Sequence, residues 1–354
     1  MAGRSGTGMN LDIGMKAGVE QTPSSARVSV SEVRLNQFDR QTWDRNAARS
    51  GASMRSAYAH LHGLRLKLLF RGVPKLFHIY LETDGQRTQI GQYTLIFRRD
   101  ARVFYDGLNL YPEHRGLWTA AMTAVLAAAG PGTYEYGWQW VPEPPRDAEL
   151  RAMPGVNLTH VRPILVQGVD FSNWSDWESY YRDISENIRR NAKKAEKLHG
   201  DLKFDLVTGL AALTKVPALV AMRGAMYRRK QLAFSPLRIF AGYVTSILAC
   251  PDQAMISMVS GGGRTLAIQN NVEFADFHYY LDGAAANETE GGGWFLQLAM
   301  LRRAYERAPK GKFLLGYTDL PVDDQTAEGL LRSRRSLRAS DWPSSLVRFD
   351  WRPA

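Results

Sequence analysis

The chain has 354 residues, 45% of them hydrophobic and 23% charged, a composition that supports two ordinary domains with real cores. Cys250 is the single cysteine, which excludes an intramolecular disulfide and any multi-cysteine metal site. The net charge of +10 points to acidic partners such as coenzyme phosphates, nucleic acid, anionic cell-wall precursors or a membrane surface, without choosing among them.

Residues 1–30, rich in Gly, Ser and Met, lack periodicity and read as a disordered tail. Ser31 to Leu61 reads as helical, with Phe38, Trp43, Ala47, Ala57, Tyr58 and Leu61 facing inward. Strands are expected at 66–70, 76–83, 88–99 and 101–108, with Asp84-Gly85 as a hairpin turn. A helix follows from Glu113 to Ala129, stopped by Gly130-Pro131-Gly132, and then an aromatic strand over 133–141. The run from Gly116 to Gly130 is the longest apolar one and is too short to span a bilayer. With no continuous apolar segment at the N-terminus, a cytoplasmic protein is expected.

After the proline-rich break at 142–154 come a strand at 160–167 and a long helix over 172–200. That helix carries an apolar stripe through Trp177, Tyr181, Ile184, Ile188, Ala195 and Leu198. Arg189, Arg190, Lys193, Lys194 and Lys197 lie off the stripe and form a basic face. A strand at 201–207 leads to helices over 210–233 and from Ser235-Pro236 onward. Strands at 254–260 and 265–283 then precede Gly291, Gly292 and Gly293, which open an amphipathic helix. A last strand at 312–319 is followed by an Arg-rich tail over 320–354. Both halves run helices, hairpin, strand, helix, strand, an order that suggests internal duplication.

HExxH, GxSxG, Walker A and GxGxxG motifs are absent, and the seven histidines have no metal-ligand spacing. A glycine loop that delivers a strand onto a helix N-terminus suits phosphate, because unpaired N–H groups and the positive end of the helix dipole meet there. Acyl transfer to an amine needs donor positioning, a base and oxyanion stabilisation, but no metal or covalent nucleophile.

The segment SDWESYYRDISENIRRNAKKAEKLHGDLKFDLV resembles the helix-to-strand signature of FemAB-like transferases and of the related BioF2-like GNAT acyltransferases. MYRRKQLAF, AIQNNVEFADFHYYLDGA and the glycine loop are similar to the remainder of that domain, so the resemblance covers about 165–320. It implies an α/β (α+β) fold of tandem GNAT-like domains, each a twisted mixed sheet flanked by helices. The expected division is a non-catalytic N-terminal domain over 31–165 and an acyltransferase domain over 166–354. The implied activity is N-acyl transfer from acyl-CoA, such as acetyl-CoA, to a small-molecule or cell-envelope amine by direct attack. The implied donor loop is Gly291, Gly292, Gly293 and Trp294. Strand alternation puts Asp276, His278 and Tyr280 on one face, the first choice for the catalytic set. The chain departs from the family pattern at Leu314, which stands where an acid is usual, and no Tyr-Lys pair follows. Two other readings stand beside it: a Fem-type transferase using aminoacyl-tRNA on a peptidoglycan precursor, and a non-catalytic basic nucleic-acid-binding protein.

Overall fold

A computed structural model describes residues 26–34, 39–67, 72–137, 140–322 and 325–353. The first half comprises β1 (Arg27–Val33), α1 (Arg40–Ser50), α2 (Tyr58–Lys67), β2 (Val73–Thr83), β3 (Gln86–Phe97), β4 (Arg102–Leu110), α3 (Trp118–Ala129), β5 (Gly132–Tyr136), α4 (Asp147–Ala152) and β6 (Val156–Asp170). The second comprises α5 (Trp177–Asp183), α6 (Glu186–His199), β7 (Lys203–Thr208), α7 (Val216–Arg229), α8 (Pro236–Ala249), β8 (Met255–Gly261), β9 (Arg264–Phe274), β10 (Phe277–Ala285), α9 (Gly292–Arg307), β11 (Lys312–Asp319), α10 (Gln325–Ser336) and β12 (Ser340–Trp351).

Among the described residues twelve strands form one mixed sheet in the order β1-β2-β3-β4-β5-β12-β6-β11-β10-β9-β8-β7. This order reads alike from either edge. Strands β1 to β5 run inward from one side and β7 to β11 from the other, and in each half β4–β5 or β10–β11 is the parallel pair around a crossover helix. The two innermost strands are exchanged: β12 lies against β5, and β6 lies against β11. β12 and β6 then pair along their whole shared length, from Ser340↔Gly168 to Trp351↔Val156. The two expected domains are thus joined in one continuous sheet, and their expected boundary at residue 165 lies inside β6.

One face carries α3 over a core of Tyr93, Phe104, Trp118, Tyr134, Tyr136 and Phe349. On the second half α6 and α9 bury Ile188, Ala192, Leu296, Met300 and Leu301 with Phe313. The opposite face carries α7 and α8 over Ile256 and Ile268. Across the halves α2 meets α8 at Gly63, where a Cβ would fall 2.1 Å from the Ala249 carbonyl oxygen.

Several sequence expectations change. Arg27 to Val30, assigned to a disordered tail, pair with β2, while residues 1–25 and Phe38 lie outside the described residues. Leu66 and Lys67 end α2 rather than begin a strand, because the apolar run continues a helical turn; 68–70 lie outside the described residues. The helix expected over 172–200 breaks at Ile184-Ser185, where the Ser185 N–H leaves helical bonding and donates to the Ser336 carbonyl. The strand expected over 265–283 is two strands, since Ala275, at φ 49°, makes a tight turn with Asp276. The Arg-rich tail is α10 and a central strand.

Candidate active site

Strands β10 and β11 pair over Phe277↔Lys312, His278↔Phe313 and Tyr279↔Leu314 and then part. Two irregularities accompany the split. The β10 register against β9 shifts between Tyr280 and Asp282, and the β11 register against β6 shifts between Leu314 and Gly316. Each bulge bends its strand and intensifies its twist, so the second half of β10 leaves its neighbour and a wedge opens between them. Beyond the wedge, β10 passes through Asn287 and Gly291 into the 16-residue helix α9.

The glycines have different duties. Gly291 sits in the left-handed region at φ 79°, and a Cβ there would fall 1.9 Å from the Asn191 carbonyl oxygen on α6. Gly292 is packed on Leu266, its added Cβ 2.7 Å from that side chain. Gly293 is half-buried, with only the Ala285 methyl 3.2 Å from a new Cβ. No side chain caps α9, so its first N–H groups remain open to an anion. Trp294 is partly buried against the α6–α9 core. The loop approach is held by Glu290, whose carboxylate takes Arg264 at 2.5 Å and Asn287 at 3.2 Å. α6 lies directly under Gly291 through Asn191 and Ala195, and Arg190, Lys193, Lys194 and Lys197 are exposed elsewhere on the same helix.

Of the three residues expected to act together, only Tyr280 lies at the wedge. It is the first residue of β10 beyond the last pair with β11. Burial pushes its pKa up to about 12, with Asp282 adding to the rise and Arg334 and Arg223 opposing it. At neutral pH its hydroxyl is a donor. Asp276 is exposed in the β9–β10 turn, where its carbonyl accepts the Lys312 N–H at 3.0 Å. His278 is 1% exposed, stacks on Phe313 with ring centroids 4.5 Å apart, and lies 3.2 Å from Glu273 and 3.3 Å from Asn271. Burial lowers its pKa against the pull of Glu273. Both residues lie at the end of β10 away from the glycine loop, roughly 23 Å of strand from Ala285 for His278 and roughly 30 Å for Asp276. His278 and Tyr280 keep a common face of β10, whereas the turn at Ala275 leaves Asp276 outside the strand.

Residues not singled out in the sequence surround the wedge. Arg334 of α10 is 8% exposed and donates to Gln167 Oε1 at 2.9 Å, Thr318 Oγ1 at 3.2 Å and the Leu315 carbonyl at 2.6 Å. Burial brings its pKa down to about 10, still cationic at neutral pH, beside Tyr280. On the other face Asp282 accepts from the Tyr243 hydroxyl at 2.8 Å and from Arg223 at 3.1 Å. Burial raises the Asp282 pKa, and Arg223 and Tyr243 oppose the rise. The first half repeats this device. Asp106, at the bulge of β4, is buried and accepts from Ser53 and Ser56 between α1 and α2. An Asp-Gly pair at 106–107 and at 282–283 is the sequence trace of that repeat, whereas Arg334 is hidden among the arginines of its segment.

A strand that parts from its parallel neighbour and feeds an uncapped helix start is the geometry of the segment for which sequence comparison finds a match. Residues 182–318 match the family model described as an acetyltransferase (GNAT) domain. That segment is a GNAT-type acetyltransferase domain by sequence, set in a two-half fold that solved structures share. The fold is similar to that in a crystal structure of FemX, at 11% identity and a TM-score of 0.66, over 91% of this chain and 97% of that one. It is also similar to a conserved protein of unknown function from Bacteroides thetaiotaomicron VPI-5482, at 9% identity and a TM-score of 0.51, over 92% and 100% of the two chains. The structure of L-PGS from Bacillus licheniformis matches at 10% identity and a TM-score of 0.50, over 89% and 92%. No curated protein matches the chain significantly.

Proposed function

We propose that the second half transfers an acyl group from acyl-CoA to an amine by direct attack, the first half serving as a non-catalytic partner domain. The observation that carries this reading is the parting of β10 and β11 beside an uncapped α9. Phosphates of the donor would take the N–H groups of Gly292, Gly293 and Trp294, with Gly291 shaping the turn. The acyl arm would enter the wedge and bring the thioester to Tyr280. The amine nitrogen bonds to the carbonyl carbon, the carbon–sulfur bond breaks, and the amine gives up a proton. Tyr280, protonated at neutral pH, is the group suited to return a proton to the departing sulfur, with the Arg334 charge favouring the negative charge that develops there. Asp276 and His278 take structural roles in this mechanism.

The exposed cations of α6 favour a second reading, an aminoacyl-tRNA donor for a peptidoglycan-type acceptor, as in the Fem class. Gly293→Asp separates the donors. Its carboxylate suits a helix N-terminus and leaves the fold intact, yet repels phosphate at the site. Wild-type protein should show a melting-temperature rise with acetyl-CoA and release of free thiol with an amine acceptor, and the variant neither. Salt-sensitive tRNA binding without any response to acyl-CoA would transfer the assignment to aminoacyl-tRNA. Nucleic-acid binding indifferent to Gly293, with no turnover of any donor, would leave the non-catalytic reading.

A further inference from the structure

Helix α8 is apolar on two adjacent faces, and the fold uses one. Tyr243, Ile247 and Ala249 are buried in the α7–α8 core. Leu237, Phe240, Val244 and Leu248 follow helical spacing on the neighbouring stripe. Leu237 is 83% exposed, Leu248 56% and Phe240 41%, and Leu232 in the connection from α7 is 51% exposed. A continuous outward apolar stripe of this kind marks an interaction surface, where a lone exposed leucine would not.

The charge around it identifies the partner. From Leu206 to Pro251 the chain has no Asp or Glu, while exposed Arg228 and Arg229 end α7 and exposed Arg238 opens α8. Two copies of this surface meeting face to face would set arginine against arginine with no acid to compensate. An apolar helical stripe bordered by arginines instead has the character of an interfacial helix, whose side chains enter the boundary of headgroups and acyl chains while the guanidinium groups stay at phosphate level. We propose that the α7–α8 hairpin docks on an anionic lipid surface through Leu232, Leu237, Phe240 and Leu248.

The hairpin is tied to the candidate site. Arg223 and Tyr243 hold Asp282, and Arg229 donates to the Ala285 carbonyl at 2.7 Å. Docking there sets the end of β10 beside the bilayer and favours an acceptor amine carried by a lipid or lipid-linked molecule. That last step rests on the acyltransferase reading, whereas the docking does not.

The test is sedimentation of the full chain with vesicles of phosphatidylcholine alone or mixed equally with phosphatidylglycerol. Binding is expected on the mixed vesicles only and should weaken as salt rises. The combined variant L237S/F240S/L248S should lower the partition coefficient at least about tenfold at unchanged melting temperature, because these side chains are outside the core. R228Q/R238Q should weaken it and flatten its salt dependence. No binding to the anionic vesicles, binding indifferent to the serine variant, or a concentration-dependent dimer that the serine variant abolishes would each overturn the proposal. None of these readouts depends on acyl transfer, so failure of the donor assignment leaves the result interpretable.

Discussion

Tyr280 and His278 share a strand and differ in almost everything that chemistry requires. Tyr280 stands where β10 leaves β11, half-buried, with a hydroxyl that stays protonated through the neutral range. Tyr280→Phe removes the proton donor and leaves the ring packing, so kcat should fall about 100-fold or more with KM little changed, measured by thiol release under saturating donor. His278 is locked between Glu273, Asn271 and Phe313. Its folded pKa lies below the ordinary value of 6.5, so the unfolded chain binds the proton more readily. The stability this arrangement supplies is therefore fully present above about pH 6.5 and is lost as the pH falls toward the depressed folded value. His278→Gln cannot titrate and should flatten the decline of melting temperature between pH 7 and roughly pH 5 relative to wild type. An equally steep decline in the variant would assign the pH dependence to other groups.

At the scale of elements, the glycine loop separates packing from binding. Gly291 meets two demands at once, a left-handed φ and contact with the backbone of α6, so Gly291→Ala should destabilise the protein by about 2 kcal/mol or more in urea denaturation. Gly293 meets neither demand strongly, so its variants should report on donor binding at nearly native stability. The sequence distinguishes these roles poorly, because three consecutive glycines look alike and only the neighbour, Asn191 on α6, tells them apart. Other elements were more legible. The strand Lys312–Asp319 and the Ser235-Pro236 start of α8 were evident from local pattern, since a short apolar run and a proline in the first turn need no tertiary context. The turn at Ala275-Asp276 was not. Ala275 is not a usual turn former, and its positive φ without glycine is imposed by the pairing of β9 with β10 on both sides. The turn takes Asp276 off the strand that carries His278 and Tyr280. The wedge itself depends on where two strands stop pairing, which no single segment encodes.

The whole molecule is tied together by exchange of its two central strands. β12, encoded at the end of the chain, supplies Val347, Phe349 and Trp351 to the core of the first half, and Phe349 stacks on Tyr134 with centroids 5.4 Å apart. β6, encoded in the first half, borders β11 and so supports the strand from which β10 diverges. Neither half can complete its sheet alone, and β12 pairs with β6 over twelve residues, with one register shift between Arg348 and Phe349. The two halves should therefore unfold in one transition by calorimetry. Phe349→Ala should cost about 3–5 kcal/mol through loss of a fully buried aromatic side chain. Its first effect in amide hydrogen exchange should fall on β4, β5 and α3, which are distant in sequence and adjacent in space. Because β12 also pairs with β6, weakened protection should extend to β6 and β11 as well. Faster exchange confined to β12, or two separate unfolding transitions, would mean that the halves are stable independently and that the exchanged strands only decorate them.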